Sequence, residues 1–269
     1  MNTWSTRLQQ TLADASQFTP MEAIGKLADL AFEVSEEEAD AFLDAHPECF
    51  EHFSLLNRFY YQHIVAMETE ECEHILSQAG RGGKTFRELA GERGLVSYER
   101  NADMFNHVDL TNCETFVMVG CGPLPVTALQ VLDRSSVQNV VCLDVSEKAI
   151  DADNRLKAAL GLDRLHPRLS NGTDFDFGPA SVIYIANMVM PKLDVVKQAL
   201  RTSAANAQLV VREPYSLGRL WTERVEPELA GLVKVTGKGP VSRHLSRDVY
   251  MQKGGSRLPT PLPPPEKPS

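Results

Sequence analysis

The chain of 269 residues is 43% hydrophobic and 23% charged, the composition of a soluble globular protein long enough to bury a core. Its formal net charge of −9 argues against a broad phosphate-binding surface, so a nucleic-acid substrate is disfavoured. The N-terminus lacks the apolar core of a signal peptide, and no run of about 18 apolar residues is present. A cytoplasmic protein that binds neither nucleic acid nor membrane is expected.

The cysteines and histidines predict no metal site. The five cysteines are odd in number and lack C-x-x-C spacing, so neither a zinc site nor a disulfide framework is indicated. The seven histidines form no H-x-x-x-H pair, and His74, His107 and His244 are interpreted as ordinary surface or core residues. The expected partner is a small-molecule substrate, and a homodimer is compatible with the sequence.

Residues 1–95 are predicted to form an all-helical N-terminal domain. Thr19 is a plausible N-cap with Pro20 at the first helical position, and Ser35 caps a second helix whose first turn is acidic. Residues 49–79 carry a long helical pattern, either one helix or two in succession. The glycine-rich residues 80–83 end it.

Residues 96–253 have a different pattern, in which short apolar runs alternate with helical stretches. The runs lie at 115–120, 137–146, 180–186 and 207–213, and the helical stretches at about 124–134, 147–161 and 192–204. This alternation predicts a doubly wound α/β domain whose parallel sheet is buried on both faces. The Pro-rich residues 254–269 are predicted to be a disordered tail.

The turn after the first predicted strand favours an adenosine ligand without phosphates. Gly120 and Gly122 permit a sharp turn and close backbone approach. The third glycine of a dinucleotide motif is missing, and Pro125 has no amide to donate to a pyrophosphate. Asp144 ends the second strand, where an acid accepts hydrogen bonds from ribose hydroxyls. S-adenosylmethionine (SAM) is therefore the expected ligand.

Structural explanations of the same residues remain open. The glycines can serve only to turn the chain, and Asp144 can cap the next helix, although their combination favours the nucleoside site. Val145, next to Asp144, is assigned to the same site. Asp174, in the loop that follows the next strand position, is expected to contact the adenine amino group, unless it only forms a turn.

Several segments resemble the nicotianamine synthases and the related bacterial opine-metallophore synthases. The most specific is FVMVGCGPLPVTALQVL, at residues 116–132, which has a proline-containing turn in place of a bare G-x-G. LDVSEKAI, IYIANMVMPKLDVVKQAL and LVVREPYSLGRLW match in order and spacing, so the resemblance covers roughly residues 96–253. Cys121 stands where the family usually has Ser.

The resemblance implies a class I SAM-methyltransferase-like fold whose mouth is covered by the helical domain. It also implies that SAM is a substrate that donates its 3-amino-3-carboxypropyl arm. A nitrogen attacks the γ-carbon of the arm and methylthioadenosine leaves, with no metal required. Pro123, Leu124 and Pro125 belong to the cofactor-binding turn. The two prolines are hypothesised to stiffen the turn beside the sulfonium, unless Pro125 simply pre-sets the helix start.

The same resemblance implies a set of catalytic residues. Tyr98 and Asn101 match the Tyr-x-x-Asn pattern of the family, and Asp109 follows where the family usually has Glu, with a shorter connection to the first strand than in the family. Glu68 aligns best with the glutamate that handles the nucleophilic amine, ahead of Glu71. The alternatives are that Tyr98 is an amphipathic residue at a domain boundary and that Glu68 belongs to a solvated helix face.

The later strands supply further candidates for the binding site. Tyr184 and Asn187 are assigned to the fourth strand and are expected to point toward the ligand end of the sheet, as is Arg212 on the fifth. An arginine there can clamp an α-carboxylate through two hydrogen bonds. Its alternative role is a salt bridge to Glu213 or to the helical domain.

The identity of the nucleophile remains open at this point. It is either the amine of an acceptor amino acid such as histidine, as in metallophore biosynthesis and secondary metabolism, or the α-amine of SAM itself, which closes azetidine-2-carboxylate. The shortened segment around Asp109 favours cyclisation slightly. Two other interpretations are a small-molecule SAM-dependent methyltransferase and a non-enzymatic binding protein that kept the fold.

Overall fold

The computed structural model describes residues 3–79 and 85–254. The α-helices in this part are α1 (Trp4–Ala13), α2 (Pro20–Ala31), α3 (Glu36–Ala45), α4 (Phe53–Ala79), α5 (Phe86–Leu89), α6 (Glu92–Arg100), α7 (Met104–His107), α8 (Val126–Arg134), α9 (Glu147–Leu160) and α10 (Lys192–Thr202). The strands are β1 (Thr115–Val119), β2 (Asn139–Asp144), β3 (Leu165–Leu169), β4 (Val182–Ile185), β5 (Gln208–Pro214), β6 (Val233–Lys238) and β7 (Ser246–Lys253). Short 3₁₀ segments lie at Ala15–Gln17, Pro47–His52, Asn101–Asp103, Ser216–Leu220 and Glu226–Leu229.

These strands form a sheet in the order β3-β2-β1-β4-β5-β7-β6. Strands β1 to β5 pair in parallel, and β7 pairs antiparallel with both β5 and β6. The class I SAM-methyltransferase-like α/β fold predicted from the sequence, with a helical region before the sheet, is confirmed. Strands β6 and β7 were not predicted, and β3 was expected only as a strand position before Asn171, without a sequence run assigned to it. The edge strands β3 and β6 are partly or largely exposed, so they lack the continuous apolar run of a buried strand.

The helix boundaries follow the capping residues. Thr19 and Ser35 both form capping boxes, with Glu22 and Glu38 respectively. Gly161 adopts the left-handed conformation that ends α9. In residues 49–79 a 3₁₀ segment is followed by one continuous α-helix, so this stretch does not form two α-helices in succession. The 27 residues of α4 span about 40 Å.

Helix α4 belongs to two hydrophobic cores. Near its start, Leu56 and Tyr60 pack with the first three helices and with Trp221. Near its end, Cys72 and Ile75 pack into the core on one face of the sheet. The segment between these contacts passes over the carboxyl ends of the parallel strands. The sheet and the N-terminal helices are thus joined by one rigid element.

The domain division at residues 95 and 96 remains a prediction, and α6 crosses it. The predicted stop at residues 80–83 and the predicted disordered tail, apart from Gly254, lie outside the described residues. Among the helices in the described ranges, none has the length and apolar character needed to cross a membrane.

Candidate active site

A cavity of about 320 Å³ lies at the carboxyl ends of β1, β2, β4 and β5, where ligands bind in open α/β sheets. Helices α4 and α6 and the segment just before β7 complete its walls. Most of the residues assigned to the site from the sequence line it. They are Glu68, Asn101, Gly120, Cys121, Gly122, Leu124, Asp144, Val145, Tyr184, Asn187 and Arg212.

The glycine turn has the backbone geometry that the sequence predicted. Gly120 has a φ of 76° and Gly122 a φ of 65°, in the left-handed region that only glycine enters without strain. A Cβ atom on Gly120 would lie 2.6 Å from Val189 Cγ2, and one on Gly122 would collide with the carboxylate of Glu68. Both positions therefore require glycine for space as well as for conformation.

Asp144 is held in place by the turn. Its Oδ2 accepts from the backbone N–H of Gly122 at 2.9 Å, and its Oδ1 accepts from that of Ser146 at 2.9 Å. The cap of α9 is the Ser146 side chain, which accepts from Ala149 N–H, so Asp144 is not the cap that the alternative interpretation assumed. The remaining lone pairs of the carboxylate are available to ligand hydroxyls.

Glu68 is the carboxyl group that reaches the turn from the helical region. It comes from the middle of α4 and lies against Gly122. Burial, reinforced by the nearby carboxylates of Asp153 and Asp144, raises its pKa to about 8, although the positive charge of Arg100 opposes the shift. The protonated form of Glu68 is therefore favoured at neutral pH.

Asp153 is a buried acid that the sequence reading missed. It lies on α9, is fully buried, and neither carboxyl oxygen has a partner with hydrogen-bond geometry, although the Cys121 thiol is beside it. Burial is the main cause that raises its pKa to about 8, and the charge of Asp144 adds to it. In the sequence, Asp153 appeared only as an acid on the inner face of the predicted helix 147–161. An acid in a helix is usually interpreted as exposed to solvent.

Arg212 forms its salt bridge with Asp248 on β7 rather than with Glu213. Its Nε donates to Asp248 Oδ1 at 2.9 Å and its Nη2 to Asp248 Oδ2 at 3.2 Å. The Tyr184 hydroxyl donates to the same carboxylate at 3.1 Å. Glu213 instead accepts from two backbone N–H groups of residues 225 and 226. The predicted alternative of an Arg212–Glu213 salt bridge is therefore wrong.

Asn101 connects this arginine to the helix that follows the turn. Its Oδ1 accepts from Arg212 Nη2 at 3.1 Å, and its Nδ2 donates to Thr127 Oγ1 at 2.9 Å. Both ends of the amide are used, so the geometry assigns Asn101 to positioning Arg212. A catalytic role for Asn101 remains a prediction.

On the helical side of the cavity lie Tyr60, Arg100 and His244, none of which was predicted. The amide atoms of Asn187 are buried there without a partner of good geometry, although the Tyr60 hydroxyl is close by. Burial and the positive charges of Arg100 and Arg212 lower the pKa of His244 to about 4, so its imidazole is neutral. The interpretation of His244 as an ordinary residue must be corrected, because it lines the cavity. Arg100 and His244 belong to no sequence motif.

Tyr98 and Asp109 lie outside the cavity wall. The Tyr98 hydroxyl donates to Asp133 on α8 at 2.9 Å, and its ring packs on Phe86 in the core. Asp109 is exposed and its backbone bonds to Gln208, the first residue of β5. Gln208 lies at the amino end of β5, opposite to the end that carries the cavity. Four residues at 3.3 Å each separate it from Arg212, a distance of about 13 Å. The predicted catalytic roles of Tyr98 and Asp109 do not fit these positions, because neither side chain lines the cavity.

Three further predictions require correction. Asp174 is exposed and does not line the cavity, whereas the preceding residues Ser170, Asn171 and Gly172 do. Pro123 and Pro125 are buried behind the turn, and Leu124 between them lines the cavity. Pro125 is the N-cap of α8, one position before the first helical residue. The prolines therefore belong to the turn without lining the cavity.

The described part of the chain contains no group of three or more His, Cys, Asp or Glu side chains arranged to hold a metal ion.

The fold of this protein is similar to that of solved structures, although its sequence matches no known family. The sequence matches no protein-family model and no curated protein. A crystal structure of MtNAS in complex with MTA and tNA has a TM-score of 0.75 at 16% identity, covering 94% of this chain and 99% of that one. The fold is nicotianamine synthase-like.

Two other solved structures complete the comparison. A glutamate-to-glutamine variant of MtNAS in complex with S-adenosylmethionine has a TM-score of 0.73 at 16% identity, covering 93% of this chain and 98% of that one. An O-methyltransferase family 2 protein from Planctomyces limnophilus DSM 3776, in complex with apigenin, has a TM-score of 0.50 at 16% identity. It covers 60% of this chain and 58% of the other. The nicotianamine synthase-like fold thus extends over both the helical region and the sheet.

Proposed function

We propose that this protein is a nicotianamine synthase-like enzyme that consumes SAM. A nitrogen nucleophile attacks the γ-carbon of the 3-amino-3-carboxypropyl arm, and methylthioadenosine is released. The observation that carries this proposal is the partly buried carboxyl of Glu68, which a helix outside the sheet places against the glycine turn at Gly122. The MtNAS structures with MTA and with S-adenosylmethionine support it.

The cavity offers a surface for each part of SAM. Asp144 accepts from the ribose hydroxyls, and the side chain of Val145, which is 72% exposed beside it, provides an apolar face for adenine. Ser170 and Asn171 replace Asp174 as the polar groups nearest to the adenine edge. The arm then runs across the turn toward Glu68, with its sulfonium beside the turn.

Glu68 removes the proton from the attacking amine in this mechanism. The sulfonium cation stabilises the ionised form of Glu68 when SAM binds, and this overcomes the effect of burial on its pKa. The amine lone pair forms a bond to the γ-carbon while the sulfur–carbon bond breaks. The electron pair of that bond goes to sulfur, which becomes the neutral thioether of methylthioadenosine. The proton lost by the amine passes to Glu68, and the covering helices exclude water.

The nucleophile is either the α-amine of SAM itself or that of an acceptor amino acid such as histidine. The shortened connection at Asp109 does not bear on this choice, because Asp109 lies at the amino ends of the strands, away from the cavity. Cyclisation yields azetidine-2-carboxylate, and transfer yields a product of the opine-metallophore type. Both reactions release methylthioadenosine.

The decisive experiment is to incubate the purified protein with SAM alone, then with SAM and a panel of amino acids, and to identify the products by mass spectrometry. Methylthioadenosine and azetidine-2-carboxylate from SAM alone establish the cyclase. Methylthioadenosine only when histidine or another amino acid is present establishes transfer. S-adenosylhomocysteine as the product means methyl transfer and contradicts the proposal, and unaltered SAM bound to the protein favours a binding protein.

The rate of methylthioadenosine release should depend on pH through the Glu68–Asp153 pair. We expect kcat/KM to rise from pH 6 to pH 9 with an inflection near 8, because the free enzyme must lose a proton from these two coupled carboxyls. The inflection in kcat should lie at lower pH, since bound sulfonium favours the ionised form. Initial rates across this range, at limiting and saturating SAM, measure both.

The Asp153→Asn variant sharpens this measurement. Removing the neighbouring acid takes away one of the causes that raise the pKa of Glu68, so the inflection in kcat/KM should move to lower pH. An unchanged inflection in this variant would show that another group controls the profile.

A further inference from the structure

Arg100 is a partly buried cation that forms no ion pair within the described part of the chain. It ends α6 and lines the cavity, and its Nε atom is buried with no hydrogen-bond partner. None of the ion pairs within residues 3–79 and 85–254 involves Arg100, and the nearby Asp248, whose charge favours protonated Arg100, is paired with Arg212. Burying an unpaired charge costs free energy, so an arginine kept in this position calls for an anionic partner from outside the chain.

The surroundings of Arg100 reinforce the positive charge. Burial, and next the repulsion of Arg212, lower the pKa of Arg100. Arg212 is already balanced by Asp248 with good geometry, and the imidazole of His244 is neutral. Among the described residues, this end of the cavity therefore carries a positive charge that no ion pair neutralises, together with the amide of Asn187, which has no partner of good geometry.

The sheet register fixes where this charge lies relative to Asp144. Leu143, Val119, Ile185 and Val211 are paired in register across β2, β1, β4 and β5. Asp144 and Arg212 each follow by one residue, so they stand at the same height, three strand spacings or about 14 Å apart. An extended ligand with hydroxyls at Asp144 therefore points its other end toward the two arginines.

We propose that Arg100, with Arg212 beside it, binds the carboxylate of an amino-acid group at the end of the cavity away from Asp144. The inference rests on the proposed function only for the nucleoside at the Asp144 end. The carboxylate has two possible sources with the same chemistry, the arm of SAM and a second amino acid. A planar guanidinium pairs with either through two parallel hydrogen bonds.

The test uses the Arg100→Gln variant and two unreactive ligands in calorimetric titrations. S-adenosylhomocysteine carries the arm with its carboxylate, whereas methylthioadenosine lacks it. If the arm is the source, the variant binds S-adenosylhomocysteine roughly 10- to 100-fold more weakly and methylthioadenosine unchanged. If a second amino acid is the source, the nucleoside affinities stay equal, and histidine binding to the methylthioadenosine-saturated protein falls by a similar factor.

Two controls separate binding from folding. Arg87→Gln removes the same charge from an exposed arginine paired with Glu99, close to Arg100 in sequence, and should leave every affinity unchanged. The ligand-free Arg100→Gln protein should unfold at the same temperature as the wild type or higher, because an unpaired buried charge has been removed. A structural arginine would give the opposite result.

Equal weakening of S-adenosylhomocysteine and methylthioadenosine, or no Arg100-dependent loss in either titration, would overturn the inference. Its failure is distinguishable from that of the proposed function, which is judged by the products from SAM. Arg100-dependent binding without methylthioadenosine release would leave the carboxylate site standing and remove the proposed reaction.

Discussion

The Glu68→Gln variant should lose methylthioadenosine release by about 10²–10⁴-fold while still binding SAM. Gln keeps the size of the side chain and its place against Gly122, but it cannot accept the proton of the attacking amine. The expected loss therefore falls on kcat rather than on the affinity for SAM. Single-turnover formation of methylthioadenosine, together with the affinity for S-adenosylhomocysteine, separates the two quantities.

Unfolding does not explain such a loss. The pKa of Glu68 is raised to about 8 by folding, so ionising this group costs stability progressively as the pH rises from about 4.5 through 8. Gln avoids that cost, and the variant should unfold at the wild-type temperature or above it at pH 8.5. Glu70→Gln, an exposed change two residues away on α4, is the matched control. Wild-type turnover in Glu68→Gln would exclude Glu68 as the proton acceptor.

The Asp144→Asn variant should bind SAM and methylthioadenosine roughly 10- to 100-fold more weakly. An asparagine has one acceptor oxygen in place of two, yet the backbone N–H groups of Gly122 and Ser146 already approach the carboxylate from both sides. Its NH₂ group must face one of these donors, which disturbs the turn and leaves fewer acceptors for the ribose. Calorimetric titration with both ligands measures the loss.

The pattern of the loss identifies the ribose as the group concerned. Both ligands contain the ribose, so both should weaken by the same factor, unlike the pattern expected for Arg100→Gln. Asp151→Asn, at an exposed position on α9, removes the same charge and should not change either affinity. Selective weakening of SAM alone would mean that Asp144 contacts the arm instead of the ribose.

The features that local physics controls were predictable from the sequence. Capping boxes at Thr19 and Ser35, and the left-handed glycines of the turn, depend on the residues themselves and their near neighbours. The acid at the end of β2 was also found, because its position follows from the strand. Together with the alternation of strands and helices, these features were sufficient to predict the fold and the part of the cavity formed by the glycine turn and Asp144.

The rest of the site depends on contacts between distant parts of the chain. Arg100 and His244 meet at the cavity, and Asp153 comes to lie beside Cys121 of the turn, only after α6, α9 and the segment before β7 have packed. No spacing in the sequence records this. Tyr98 shows the converse failure. Its motif predicted a catalytic residue, but the end of α6 that brings Arg100 and Asn101 to the cavity points Tyr98 into the core.

The position of α4 in two cores has a thermodynamic consequence. One end of this helix cannot detach from the N-terminal helices, nor the other from the sheet, without moving Glu68 away from the turn. Local opening and loss of the reactive arrangement are therefore a single cooperative event. A ligand that bridges Glu68 and Asp144 adds its binding free energy to the stability of the whole folded unit, and neither half retains the complete site alone.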